Sequence, residues 1–277
     1  MTILVTGATG NVGRLVVDEL VARGAGVRAL TVDPQRAALP SGVEVVVGSI
    51  ARPATLAPAL EGVEAVYLAP YERTAPRVCE LIREAGVPRV VALSGSSVGD
   101  VHEGSSGHGF AAVERAVDAA GLARTFLRPG AFLMNLLGWA PAVRERGEVR
   151  SAYGEAAQTP IDLGDIAAVA AHTLTTEGHE GRTYVLSGPE SVPLRELAAA
   201  IGDALGRELP FVELAPDEQV AEWVGYGMPA DVASWLVETY AQAVAQPEAP
   251  TGVVEDLLGR PGVSHREWAK ANVAAFS

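Results

Sequence analysis

Gly7-Ala8-Thr9-Gly10-Asn11-Val12-Gly13 is the stretch that decides the fold. It follows the apolar run Ile3-Leu4-Val5-Thr6 and opens a segment with Val12, Leu15, Val16 and Leu20 at helical spacing, so the glycines occupy a strand-to-helix turn. Glycines at this spacing serve a tight reversal, backbone approach to an anion and close helix–strand packing. The first helical N–H groups and the positive end of the helix dipole point at the same place. Strand, triplet and helix together predict a cradle for the pyrophosphate of a dinucleotide. No Gly-Lys-Ser/Thr follows, so the turn lacks the lysine and magnesium ligand of a triphosphate-hydrolysing loop.

Outward from this turn, β-branched runs alternate with amphipathic stretches of about a dozen residues, the pattern of βαβ units. Strands are expected at 3–6, 27–31, 44–47, 65–69, 89–94, 125–128 and 183–186, mostly continuous apolar runs suited to a sheet covered on both faces. After about Gly188 helical patterns dominate, at 193–205, 216–224, 230–245 and 264–275, and 246–250 reads as a linker. The expected fold is α/β: a doubly wound parallel sheet in 1–188, with segments near 130–160 contributing to a cleft, and a smaller, mainly helical substrate subdomain in 189–277.

Composition narrows the partners. The 277 residues carry a net charge of −13, and the segment 208–259 holds ten acids with no Lys or Arg, which repels nucleic acid. No run approaches the roughly 20 apolar residues of a membrane span, and the chain enters its glycine motif without a leader, so a soluble protein is expected. The single cysteine, Cys79, suits the reducing cytoplasm. Histidines 102, 108, 172, 179 and 265 show no metal-ligand spacing, so no metal is expected. Ser94, Ser96 and Ser97 lack a Gly-x-Ser-x-Gly elbow, which argues against a hydrolase.

Past the second strand, Thr31-Val32-Asp33-Pro34-Gln35-Arg36 gives two signals. Asp33 suits the ribose hydroxyls of NAD, whereas Arg36 suits the 2′-phosphate of NADP. NADP is the cofactor expected, with NAD left open.

The chain resembles the NmrA-like, atypical branch of the short-chain dehydrogenase/reductase superfamily. Five segments carry the likeness, in family order: 5–13 around the glycine turn, 60–68, 90–95, Thr125-Phe126-Leu127-Arg128-Pro129-Gly130-Ala131-Phe132, and 160–167. The resemblance implies a Rossmann-like domain that binds NAD(P), a cleft beside it, and relatives that include quinone and isoflavone reductases as well as non-catalytic redox sensors. By position it implies cofactor contacts at Gly7, Thr9, Gly10, Asn11, Val12, Gly13, Val32, Asp33, Arg36, Ser49, Ile50, Leu68, Ala69, Pro70, Ser94, Pro129 and Gly130. It places Gly95, Phe132 and Met134 near the substrate. Val32 stands where many relatives carry an arginine, and Ser49 replaces a frequent aspartate near adenine.

A further departure concerns chemistry. Typical members use Tyr-x-x-x-Lys, in which the ammonium lowers the tyrosine pKa for proton exchange. The only lysine here is Lys270, preceded four residues earlier by Arg266. The expected function is therefore NAD(P)H-dependent reduction of a quinone, enone or similar conjugated carbonyl, whose reduced oxygen needs no strong proton donor. His108 and His102 are the titratable candidates for one. The alternatives are a redox sensor that binds the dinucleotide without turnover, and a redox-neutral enzyme of secondary metabolism. Glu114 reads either as a catalytic group or as a residue on a solvated helix face. The aromatics Trp223, Tyr226, Trp235, Tyr240 and Trp268 suit either an apolar pocket or a core, and a small hydrophobic substrate is expected. A homodimer is compatible with this reading.

Overall fold

The computed structural model describes every residue except Val101 and Glu103. The seven apolar runs form one parallel sheet: β1 (Thr2–Val5), β2 (Gly26–Thr31), β3 (Glu44–Val47), β4 (Ala65–Leu68), β5 (Val90–Leu93), β6 (Arg124–Pro129) and β7 (Thr183–Leu186). Each boundary falls within one residue of the expected one. The spatial order is β3-β2-β1-β4-β5-β6-β7, and Ile3 stands opposite both Val27 and Ala65. The chain winds one way from β1 to β3 and the other way from β4 onward. A crevice therefore opens past the C-terminal ends of β1 and β4, where such sheets bind their ligands.

Helices α1 (Asn11–Ala22), α2 (Ala75–Glu84), α3 (Gly107–Ala119) and α4 (Leu163–Thr175) cover the sheet. Strand alternation divides the core into two layers. Ile3, Val5, Tyr67, Val91 and Leu93 face α1 and α4, meeting Val16, Leu20, Ile166 and Ala170. Leu4, Val66, Leu68, Val90 and Ala92 face α2 and α3, meeting Val78, Cys79, Ile82, Val113 and Val117. Each of the larger aliphatic side chains contributes about 1.5–3 kcal/mol by leaving water.

A third core joins Leu133, Leu136 and Val143 to Leu197, Ile201, Trp268 and Phe276. Of the helices α5 (Leu194–Leu205), α6 (Pro216–Gly225), α7 (Ala230–Ala245) and α8 (His265–Ala271), all but α6 contribute to it, and α6 packs against α7. Pro193 and Pro229 immediately precede α5 and α7, and Pro216 opens α6, where a missing N–H is tolerated. The periodicity expected to run to residue 275 instead ends at Ala271 and continues as the single turn Val273–Ala275.

Three features depart from the sequence expectation. Two-stranded pairings join Phe211–Glu213 to Val149–Ser151 and Val192–Pro193 to Ala157–Gln158. Segments of two or three residues are too short to express a period. A helix also forms at Val253–Leu258. The expected linker 246–250 is fastened: the Glu248 N–H donates to the Ala157 carbonyl at 3.1 Å, and its Oε2 accepts from the Thr159 N–H and hydroxyl, each at 2.9 Å. Among the described residues no helix is long and apolar enough to cross a membrane.

Candidate functional site

Thr6 closes the first turn onto the neighbouring strand. Its hydroxyl donates to the Tyr67 carbonyl at 3.0 Å and accepts the Ala69 N–H at 2.8 Å, tying the ends of β1 and β4 together. Gly7 takes φ +61°, and a Cβ there would lie 2.9 Å from the Ala69 methyl. At Gly13 a Cβ would sit 2.2 Å from the Gly7 carbonyl oxygen, so hydrogen alone fits where α1 crosses the turn. Gly10, the residue before α1, is extended, and no side chain caps the helix. The amides of Asn11, Val12 and Gly13 therefore have no intrahelical acceptor, and no acid stands in the first turn. Exposed Gly7, Thr9, Gly10 and Asn11 border them. Small residues, unengaged N–H donors and a favourable dipole fit a pyrophosphate.

The neighbouring strand ends extend this rim. Val32 is 60% exposed. Asp33 uses Oδ1 to accept the Gln35 and Arg36 N–H groups at 3.1 and 3.2 Å, forming a tight turn, while the Arg36 side chain is exposed with no acidic partner among the described residues. Arg14 braces the following loop by donating to the Ala37 carbonyl at 2.9 Å and the Ala38 carbonyl at 2.5 Å. Past β3, the Ser49 N–H donates to Thr55 Oγ1 at 3.0 Å, and the Ile50 carbonyl accepts from Thr74 at 2.6 Å. Past β4, Leu68 is buried, Ala69 half-buried and Pro70 exposed.

Beside the cradle, a cleft of about 530 Å³ opens between the ends of β5 and β6 and helix α7. Ser94, Gly95, Pro129, Gly130 and Phe132 form its sheet side, and Trp235, Leu236, Thr239 and Gln242 form the wall opposite. A Cβ on Gly95 would lie 2.4 Å from the Phe110 ring, so glycine is what lets that ring lie against the backbone. Met134 reaches from this region to the cradle, its sulfur 3.7 Å from Asn11 Nδ2.

Beneath the floor lies a polar group the sequence reading misplaced. Glu114 is buried, not solvated: Arg128 donates Nε to Oε1 at 2.8 Å and Nη2 to Oε2 at 2.6 Å, and the Ser94 hydroxyl donates to Oε1 at 2.6 Å. Burial alone would raise this carboxyl, but the bonds from Arg128 and Ser94 hold it below the ordinary range.

At the margin, Asp100 joins the loop before α3 to α7. Its Oδ2 accepts the Trp235 indole N–H at 2.7 Å, and its Oδ1 meets the His102 N–H and Nδ1 at 2.9 and 2.6 Å. These bonds, that of the His102 backbone N–H foremost, bring Asp100 down to about 2, and Asp100 in turn raises the His102 pKa. The His102 ring is 57% exposed. His108 is exposed in the first turn of α3, outside the lining.

The aromatics divide between both expected roles. Trp235 lines the cleft, Trp268 is buried in the third core, Trp223 packs edge-to-face with Tyr240 at 5.9 Å, and Tyr226 is 65% exposed. Sequence reasoning missed Phe110, Asn135, Gln158, Thr239, Gln242 and Gln246. A signal existed for some of them: 235, 239, 242 and 246 repeat at helical spacing and share one face.

Residues 7–177 match the family described as NAD(P)H-binding. Over 99% of both chains the protein is 39% identical to the (4-alkanoyl-5-oxo-2,5-dihydrofuran-3-yl)methyl phosphate reductase of Streptomyces griseus. It is 34% identical, again over 99% of both chains, to the NAD(P)H azoreductase of Xenophilus azovorans. It also superposes on the crystal structure of an NADPH-dependent quinone oxidoreductase from Escherichia coli, with a TM-score of 0.85 and 26% identity over 98% of this chain and 99% of that one. The chain belongs to the NAD(P)H-binding family, in keeping with the short-chain dehydrogenase/reductase resemblance. It is an NAD(P)H-dependent oxidoreductase that acts on a small molecule.

Proposed function

We propose that the protein uses NADPH to reduce a small, hydrophobic, conjugated acceptor, a quinone or an enone, in the cleft beneath α7. The observation that carries this reading is the placement of that cleft on the same C-terminal edge of the sheet as the glycine cradle, with flat rings of Phe110, Phe132 and Trp235 around it. The acceptors in the relatives' names, a quinone, an azo compound and a butenolide, share an electron-poor π system.

When bound, the dinucleotide supplies a hydride from its nicotinamide. The chain's part is to hold it and present the acceptor. Amides 11–13 and the Gly7–Gly10 turn take the pyrophosphate, and Ser49, Ile50, Leu68, Ala69 and Pro70 border the adenosine half. Ser94, Pro129 and Gly130 stand at the nicotinamide end, and Gly95, Phe132 and Met134 flank the acceptor. Arg36, which has no acidic partner among the described residues, is the group we assign to a 2′-phosphate. Helix α3 contains neither tyrosine nor lysine, which suits an acceptor whose reduced oxygen is a stabilised phenolate or enolate. Of the two histidines, His102 is the better placed to return a proton, through its contact with the cleft residue Asp100. A buried, unpaired Cys79 suits work in the cytoplasm.

The test is NADPH oxidation against menadione and simple enones, beside calorimetric binding of NADPH. Turnover with hydroquinone formation is expected. Tight NADPH binding with no acceptor reduced would replace this reading with the sensor.

A further inference from the structure

We infer that the cleft excludes anions: its acceptor carries no phosphate, sulfonate or carboxylate on the conjugated ring. This inference rests on the proposed reduction of conjugated acceptors in the cleft. Among the described residues, no Lys or Arg lines it, and its only formal negative charges are Asp100 and Glu248. Both carboxylates are fixed, Asp100 by His102 and Trp235, and Glu248 by two bonds from Thr159. Among the described residues the protonatable group in contact with them, His102, is held by Asp100. Below the floor, the guanidinium of Arg128 is taken up by Glu114.

The helices behind the lining come from an acidic stretch, although Glu222 is paired with Arg150 and Glu213 with Arg195. Helices α6 and α7 lie within the segment 208–259, which carries ten acids and no Lys or Arg. An anion entering the cleft would exchange water for fixed negative charges without meeting a counter-charge. What the walls do offer is neutral: the amides of Asn135, Gln158, Gln242 and Gln246 and the hydroxyl of Thr239. These suit carbonyl and hydroxyl oxygens on an uncharged ring. A phosphate ester of the kind named for the Streptomyces relative finds no cationic partner in this lining.

Two naphthoquinones test this with NADPH as reductant: uncharged menadione and 1,2-naphthoquinone-4-sulfonate. The variant is Gln242→Arg, at an exposed position in the last turn of α7, where a cation suits the helix dipole. It is expected to raise the ratio of kcat/KM for the sulfonate to that for menadione by about tenfold. Glu248→Gln, which keeps an amide oxygen for Thr159, moves the ratio the same way by about threefold. Added salt narrows the gap in the unmodified protein. Equal response of both quinones to the two variants, with a salt-independent ratio, overturns the charge selectivity and leaves the acceptor class standing. Failure to reduce either quinone by a protein that binds NADPH overturns the acceptor class and the selectivity together.

Discussion

Arg128 grips Glu114 with both arms of its guanidinium, at 2.8 and 2.6 Å, and so joins the end of β6 to helix α3 beneath the cleft floor. Glu114→Met leaves that guanidinium without its counter-charge and is expected to cost about 2–3 kcal/mol in urea unfolding, below the range for fully buried pairs because Arg128 keeps 29% exposure. Adding Arg128→Met is expected to recover part of the loss, and strict additivity of the two substitutions would show that the pair is not coupled. Because the folded Glu114 carboxyl titrates below its ordinary value of 4.5, its contribution is whole above that value and is lost as pH falls towards the folded one. Stability of the unmodified protein should therefore fall more steeply than that of Glu114→Met on the acid side.

The glycine turn separates folding from binding at two positions. A methyl at Gly13 meets the Gly7 carbonyl oxygen at 2.2 Å, so Gly13→Ala must displace α1, and both stability and dinucleotide affinity should drop. Gly10 already has φ −83°, and a Cβ there approaches the Gly7 oxygen at 3.2 Å, a contact that a small shift relieves. Gly10→Asp is expected to keep Tm within a few degrees while weakening NADPH binding by about 100-fold or more, through a carboxylate where the phosphates belong. Unchanged affinity in calorimetry would move the pyrophosphate elsewhere.

The contrast between what was legible and what was not follows from the range of the interactions. The sheet strands were readable as short β-branched runs, the central ones buried on both faces, as Ala65–Leu68 and Val90–Leu93 illustrate, while the edge strands Glu44–Val47 and Thr183–Leu186 stay largely exposed. The glycine turn was readable because its geometry demands a residue type at fixed offsets. Glu114 was not: its fate depends on Arg128, fourteen positions away on a different element, and helical periodicity carries no information about that meeting. Glu248 was misread for the same reason, since its partner Thr159 lies 89 residues earlier. The cleft wall was half legible. The spacing 235, 239, 242, 246 marks a face, but its polar residues look like an ordinary solvated stripe until the sheet edge is placed opposite.

Asp100 sets the titration of His102. The carboxylate, held down to about 2, stays ionised throughout the working range, and it raises the imidazole above its ordinary 6.5. A raised histidine pKa means the charged pair is whole below the ordinary value and is lost as pH rises through the folded one. If His102 returns the proton, kcat/KM falls along that alkaline limb. Asp100→Asn should shift the limb towards lower pH in step with the His102 ring measured by NMR. A ring that titrates lower while the rate profile stays put would assign the proton to solvent.

On the proposed assignment, Arg36 and Asp33 together set the choice between the two dinucleotides. The Arg36 guanidinium is exposed and unpaired by any acid among the described residues, and only the 2′-phosphate distinguishes NADPH from NADH at this point. Arg36→Ala should therefore weaken NADPH by about 10- to 50-fold in calorimetry and leave NADH within about twofold. Asp33 would oppose it: Oδ1 serves the turn, and its charge would stand near a 2′-phosphate held by Arg36. Asp33→Asn keeps an oxygen for the Gln35 and Arg36 N–H groups while removing that charge. NADPH binding should tighten by about three- to tenfold as a result. Should Arg36→Ala instead leave both dinucleotides unchanged and Asp33→Asn weaken NADH, the carboxylate is reading the ribose hydroxyls and NADH is the cofactor.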